Sequence, residues 1–190
     1  KKSWPNDTGI RASKHFELIA QKVKTFNSIP EAVSKSNIVV ATSVRRRELS
    51  IPLINFEEID KLKAKKITIL FGQENNGLSN KEISYANYIL TIPTQKSKSL
   101  NLSHTVAVVA YMLSRSTKVV EKTIVKNSLK SQDIEKFISY LMQILENRRF
   151  TTIKAKTHNF ELSLRSFLKT SKIDQKMLKT AYGVIKNLTK

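Results

Sequence analysis

The run Ile67-Thr68-Ile69-Leu70-Phe71-Gly72-Gln73-Glu74-Asn75-Asn76-Gly77-Leu78-Ser79 decides how the rest of the chain reads. Its first five residues are β-branched or apolar with almost no polar interruption, the pattern of a strand covered on both faces. Gly72 removes a side chain at the strand end, where a ligand can come close to the backbone. Gly77 supplies a turn, and Ser79 with Glu82 makes the Ser-x-x-Glu box that opens a helix. A strand, a polar turn carrying the acidic Glu74 and a helix start, in that order, form a unit of an α/β sheet. Ligands of such sheets sit beyond the carboxyl ends of the strands. Alone, the turn is weak as a signature, and the chain has neither a Walker lysine nor a dinucleotide glycine fingerprint.

Working outward, Ile38–Ala41 and Tyr88–Ile92 are two further apolar runs of strand type. Helical patterns separate them. Phe16, Ile19, Ala20 and Val23 predict an amphipathic helix over Lys14–Val23. Ser28 with Glu31 predicts a capped short helix, Asn55 can cap one carrying Ile59 and Leu62, and a longer helix is expected from Ser99–Ser103 through Val106, Val109, Ala110 and Leu113. The alternation predicts an α/β domain: a parallel sheet with helices on both faces. After Glu121 the strand signals stop. Ile134, Phe137, Ile138, Leu141, Ile144 and Leu145 recur at helical spacing. Leu164, Phe167 and Leu168 do so too, as do Met177, Leu178, Ala181, Ile185 and Leu188. These stripes read as packing faces of about three helices. The expected division is therefore an α/β domain over 1–125 and a small C-terminal helical domain over 126–190.

The chain has 190 residues, 40% of them hydrophobic and 26% charged, which suits a folded domain with an appendage. It has no cysteine, which excludes disulfides, thiol nucleophiles and thiolate metal sites and fits a cytoplasmic setting. His15, His104 and His158 are scattered, so no metal site is expected. No apolar run approaches the length of a membrane span, so no membrane partner is expected from hydropathy. The formal net charge is +19. Such a chain attracts polyanions by counterion release, although a lysine-rich solvated surface gives the same number. Residues 1–125 carry 20 basic and 10 acidic residues and 126–190 carry 14 and 5, so the shorter tail is the denser in positive charge.

Three loops follow the three strands: Thr42-Ser43-Val44-Arg45-Arg46-Arg47, Gly72–Leu78, and Ile92-Pro93 leading to Ser99-Leu100-Asn101-Leu102-Ser103. The second and third, taken in order, resemble the SpoU (TrmH-type) branch of the SPOUT RNA methyltransferases, whose motifs run Phe-Gly-x-Glu-x-x-Gly-Leu and Ile-Pro…Ser-Leu-Asn-Leu/Val-Ser/Ala. The first loop, Trp4-Pro5-Asn6 and the tail ending in Tyr182-Gly183-Val184-Ile185 look like the TrmJ-type subgroup of tRNA 2′-O-methyltransferases. The resemblance covers nearly the whole chain. It implies a trefoil-knotted fold with S-adenosylmethionine bent against the knot, an RNA substrate that is most often tRNA at the start of the anticodon loop, and a homodimer.

By the same carry-over, Thr42, Ser43 and Val44 line one cofactor wall, Gly72 lets the cofactor approach, and Ile92, Pro93 and Leu100 hold the adenine. Ser99 and Asn101 lie near the methionine end and the target ribose and are the catalytic candidates, with Glu74 beside them to orient cofactor or substrate or to hold its own loop. Arg45, Arg46 and Arg47 suit RNA phosphates, because guanidinium forks match phosphate oxygens. The family's principal catalytic arginine lies in a motif Asn-x-Gly-x-x-x-Arg after its first strand, and this sequence does not contain that motif. Asn6-Asp7-Thr8-Gly9-Ile10-Arg11 differs in spacing, and Arg11 reads as a solvent-facing residue at a helix entry. The resemblance thus implies that the family's first strand, first helix and second strand are missing from this sequence. Two alternatives stay open at this point: a ribosomal RNA 2′-O-methyltransferase, and a non-catalytic RNA-binding protein on a decayed methyltransferase fold.

Overall fold

The computed structural model describes residues 7–12, 22–43, 50–62, 64–94, 100–115, 129–150 and 154–189. Four strands, β1 (Ile38–Thr42), β2 (Leu53–Asn55), β3 (Ile67–Leu70) and β4 (Tyr88–Thr91), pair in parallel in the order β2-β4-β1-β3. In register, Val40 of β1 faces Ile69 of β3 and Tyr88 of β4, and Ile54 of β2 faces Leu90 of β4. The last strand thus lies inside the sheet, between β1 and β2. An inserted last strand is what a threaded backbone requires. The segments 44–49 and 95–99 fall outside the described residues, and the knot itself stays an implication of the family.

Alternation along the strands divides the core in two. Val39, Ala41 and Ile89 point to one face and pack with Val33 of α2 (Ile29–Val33), Ile83 of α3 (Asn80–Ile83) and Ala86. Val40, Leu90 and Ile54 point to the other and pack with Ile59 of a 3-10 helix (Phe56–Lys61) and Val109 of α4 (Leu102–Arg115). Period-2 geometry requires this of a sheet covered on both sides. The expected caps form. The Ser79 hydroxyl accepts from Glu82 N–H at 3.2 Å while the Glu82 carboxylate accepts from Ser79 N–H at 2.6 Å. The Ser28 hydroxyl accepts from Glu31 N–H at 3.4 Å, and Glu31 reaches back to Asn27 N–H rather than to Ser28.

Three expectations need correction. β2 is a fourth strand that the sequence reading lacked: it follows Pro52, is three residues long, and buries only Ile54. Lys22–Phe26 is not helical, so the helix predicted through Val23 does not extend there, and 13–21 lie outside the described residues. Arg11 is exposed, but it stands in the last turn of α1 (Asp7–Ala12) rather than at a helix entry.

The tail is three helices, α5 (Ser131–Asn147), α6 (Lys154–Thr170) and α7 (Gln175–Leu188), around Ile134, Phe137, Ile138, Leu168 and Leu178. Phe137 meets the Tyr182 ring edge-on at 4.9 Å. The stripes are not wholly packing faces, however, because Phe167, Met177 and Leu188 are exposed.

The tail seats against the amino ends of β1 and β4. Ser131 and Gln132, the first residues of α5, donate N–H groups to the carbonyls of Ser36 at 2.8 Å and Ser34 at 3.1 Å. A helix start leaves such donors without intrahelical partners, and the α/β body supplies them. Asn87 bridges the two parts, accepting from Val39 N–H at 2.8 Å and donating to the Lys169 carbonyl at 2.6 Å. The buried Arg165 guanidinium lies 4.6 Å from the centre of the Tyr85 ring and pairs with Glu135 at 3.0 Å and Glu161 at 2.6 Å. The Lys169 ammonium is buried against the Ser131 hydroxyl.

Candidate active site

The carboxyl ends of β1 and β4 lie side by side. Ser43 N–H donates to the Leu90 carbonyl at 3.1 Å and the Thr91 hydroxyl to the Ser43 carbonyl at 3.3 Å, which locks the two strand exits together. Thr42 turns its hydroxyl to the Leu70 carbonyl of β3 at 3.1 Å. A cleft of about 70 Å³ opens at this point, lined by Thr42, Ser43, Leu90, Ile92, Thr94, Leu100 and Thr105. Its walls alternate apolar side chains with hydroxyls. The lining offers the apolar contact and oriented polar groups that hold the edge of a flat heterocycle, and the cleft is smaller than the roughly 300 Å³ at which small-molecule sites begin.

Thr42, Ser43, Ile92 and Leu100, taken from two loops far apart in sequence, therefore meet in one cleft. Pro93 follows Ile92 at its edge without lining it. Val44, Arg45, Arg46, Arg47 and Ser99 lie outside the described residues. The sequence reading missed Leu90, Thr94 and Thr105. Leu90 was legible as the last buried residue of β4, and Thr105 lies four residues, about one helical turn, beyond Asn101.

Gly72 is in close contact, but with its own chain. A Cβ built there would lie 2.5 Å from Leu78 N and 2.6 Å from Gly77 Cα. Gly77 has a φ of 63°, the left-handed region that favours glycine, and its N–H donates to the Gln73 carbonyl at 2.8 Å. The loop after β3 is thus a tight closed turn, and glycine at 72 is what lets it fold back.

That turn presents Glu74. Its carboxylate accepts a hydrogen bond from the Asn101 side-chain amide, which joins the loop after β3 to the start of α4. The Asn101 Oδ1 atom accepts from Ser103 N–H at 2.9 Å and from the Ser103 hydroxyl at 2.6 Å, the N-cap geometry of α4. Both ends of the Asn101 amide are thereby fixed, and one Nδ2 hydrogen remains for another acceptor. Among the described residues no main-chain amide donates to the Glu74 carboxylate, whose hydrogen bond is to Asn101. His104, next on α4, is exposed.

Shifted pKa values lie elsewhere, where the tail meets the α/β body. Burial lowers the Lys169 ammonium from its ordinary 10.5 to about 8. Burial raises Tyr85. Burial also opposes the charge of Arg165, but Glu135 and Glu161 outweigh it and hold the guanidinium above its ordinary value. Among the described residues no group of three histidines, cysteines or carboxylates could hold a metal ion, and no helix is long and apolar enough to cross a membrane.

Fold and cleft together define an α/β protein with a cleft at the exits of β1 and of the inserted strand β4. The model of the SpoU rRNA Methylase family matches residues 2–111, and the chain belongs to that family. It is 37% identical over 117 residues to the tRNA (cytidine-2′-O-)-methyltransferase TrmJ of Methanocaldococcus jannaschii, a match covering 58% of this chain and 51% of that protein. It is 28% identical to the tRNA (cytidine/uridine-2′-O-)-methyltransferase TrmJ of Photorhabdus laumondii over 98% of this chain and 81% of that protein. The crystal structure of TrmJ from Z. mobilis ZM4 superposes with a TM-score of 0.87 at 25% identity, covering 99% of this chain and 83% of that one.

Proposed function

We propose that the protein transfers the methyl group of S-adenosylmethionine to a ribose 2′-hydroxyl of tRNA, at the nucleotide that opens the anticodon loop. One observation carries this reading: Thr42, Ser43, Ile92 and Leu100 wall a single strand-end cleft, with the Glu74–Asn101 pair at the neighbouring loop, in a chain of the SpoU family. The names of the TrmJ relatives supply the substrate class and the 2′-hydroxyl.

The residues present suit an adenosyl group. Leu90, Ile92 and Leu100 offer apolar contact, and Thr42, Ser43, Thr94 and Thr105 offer hydroxyls or main-chain groups around it. When bound, S-adenosylmethionine supplies an electrophilic methyl, so the protein's task is alignment and removal of one proton. In this reading Asn101, held by Glu74 and Ser103, directs its remaining N–H at the ribose. The family's motifs assign Ser99 to the same end as Asn101 and Val44 and Pro93 to cofactor binding, and Gly72 keeps the second loop tight. Arg45, Arg46 and Arg47 hold RNA phosphates. None of the described residues is assigned as the principal proton acceptor, because the family's first-motif arginine has no match in this sequence.

The division at about residue 125 stands as a proposal, with the basic tail as a second RNA contact. We assign a homodimer to the outer face of α4, where Val106, Ala107, Ala110 and Tyr111 are exposed and uncharged. The setting is cytoplasmic.

Incubation with methyl-labelled S-adenosylmethionine and unmodified tRNA, followed by mapping of 2′-O-methyl positions, tests the reading. Label at the start of the anticodon loop is the expected result. Label only in ribosomal RNA would shift the substrate. S-adenosylhomocysteine binding without transfer to any RNA would leave a binding protein. No calorimetric binding of S-adenosylhomocysteine would overturn the cleft assignment.

A further inference from the structure

Helix α7 commits only part of its apolar arc to the tail core. Leu178, Tyr182 and Ile185 turn inward. Met177, Val184 and Leu188 turn out and are 55%, 53% and 72% exposed. With Ala181 they recur at steps of four, three and four residues, the seam spacing by which one helix meets another. A shallow groove runs along this seam, lined by Lys176, Met177, Thr180, Ala181, Val184 and Ile185. From Met177 to Leu188 the seam of exposed residues spans roughly 16 Å at 1.5 Å per residue, three turns of a partner helix.

We propose that this face of α7 docks an amphipathic helix of a partner protein whose flanks are acidic. Charge selects the occupant. Residues 174–190 hold Lys176, Lys179, Lys186 and Lys190 against one carboxylate, the N-cap Asp174 on Met177 N–H, within a tail of net charge +9. A second copy of α7 would bring the same sign of charge to the same seam, which costs affinity and suppresses pairing. RNA contact by the tail runs through its basic side chains to phosphates, and a phosphate leaves the apolar residues of the seam uncovered. A bilayer surface calls for a broad apolar face with aromatic anchors. Here the inward part of the arc is already taken by the core, and the open groove is rimmed by Lys176 and Thr180 and carries no aromatic side chain. A helix with apolar residues at matching steps and glutamates beside them satisfies seam and rim together.

The probe is a fluorescein-labelled synthetic peptide of about three heptads, leucine at the seam positions and glutamate at the flanks, titrated with the full chain by anisotropy. Saturable binding that weakens with salt is expected. Met177→Glu/Val184→Glu should weaken it at least about tenfold, or roughly 1.4 kcal/mol, with the thermal midpoint held near that of the parent. Lys176→Glu/Lys179→Glu should reverse the preference toward a lysine-flanked version of the peptide, which gives a second readout should the first variant fold poorly. Equal binding of both peptides to the parent chain would overturn the proposal, as would binding that ignores both variants. Displacement of the peptide by RNA, seam-dependent binding to phosphatidylglycerol vesicles, or a doubled solution mass abolished by Val184→Glu would each assign the face to another occupant and overturn it too.

Discussion

Replacing Lys169 with methionine isolates the charge buried where the tail meets the sheet. The ammonium faces the Ser131 hydroxyl and Glu135 from α5, and Arg165 stands one turn before it on α6, with Tyr85 of the α/β body under that guanidinium. Its pKa is about 8 in the folded chain against 10.5 in the ordinary state. The folded value is the lower one, so between the two the unfolded chain binds more protons, and stability rises with pH. Below pH 8 both states are protonated, so stability is flat with pH and the full cost of the buried ammonium is present. At 1.36 kcal/mol per unit of full difference, the gain between pH 7 and pH 10 comes to about 2–3 kcal/mol. Tyr85 bounds the window from above: its folded pKa is raised, so its contribution is present below pH 10 and is lost beyond. Arg165 stays charged throughout. Urea unfolding at successive pH values should show the parent gaining stability over this range. Lys169→Met should be flat. Parallel slopes for the two proteins would refute the assignment of a strained, desolvated ammonium.

Asn101→Ala should cut methyl transfer at least about tenfold and destabilise the chain by about 1 kcal/mol through loss of the α4 cap. Asn101→Asp keeps the capping oxygen but sets a second carboxylate against Glu74, so activity should fall while urea unfolding shows the cap retained. Gly72→Ala should cost about 1–3 kcal/mol by overpacking the Gly77–Leu78 turn, read by thermal unfolding, and should loosen the loop that carries Glu74. Gly183→Ala, in the middle of α7 with open space around an added Cβ, should instead stabilise by about 0.5–1 kcal/mol.

The features legible in sequence were those that repeat or cap locally. Ile38–Ala41, Ile67–Phe71 and Tyr88–Ile92 declared buried strands because both faces need apolar side chains, and Ser28 and Ser79 declared helix starts through their own hydroxyls. The edge strand β2 escaped because three residues burying one side chain leave no pattern. Phe167, Met177 and Leu188 fit helical stripes yet face outward, since periodicity says which residues share a side and not whether anything covers it. In the site, Thr42, Ser43, Ile92 and Leu100 were legible through motifs, whereas the pairing of Glu74 with Asn101 depends on how two loops 27 residues apart fold together. The tail seam was opaque for the same reason. Asn87 and Lys169 are 82 residues apart, and their bond leaves no local trace.

The carbonyls of Ser34 and Ser36 that receive the first amides of α5 have a bearing on the order of assembly. A ribosome delivers β1, β3 and β4 before any residue of the tail has left the exit tunnel. The sheet's amino-terminal rim can therefore stand ready as a template, and the helical bundle grows from a first turn that the earlier half of the polypeptide has nucleated for it.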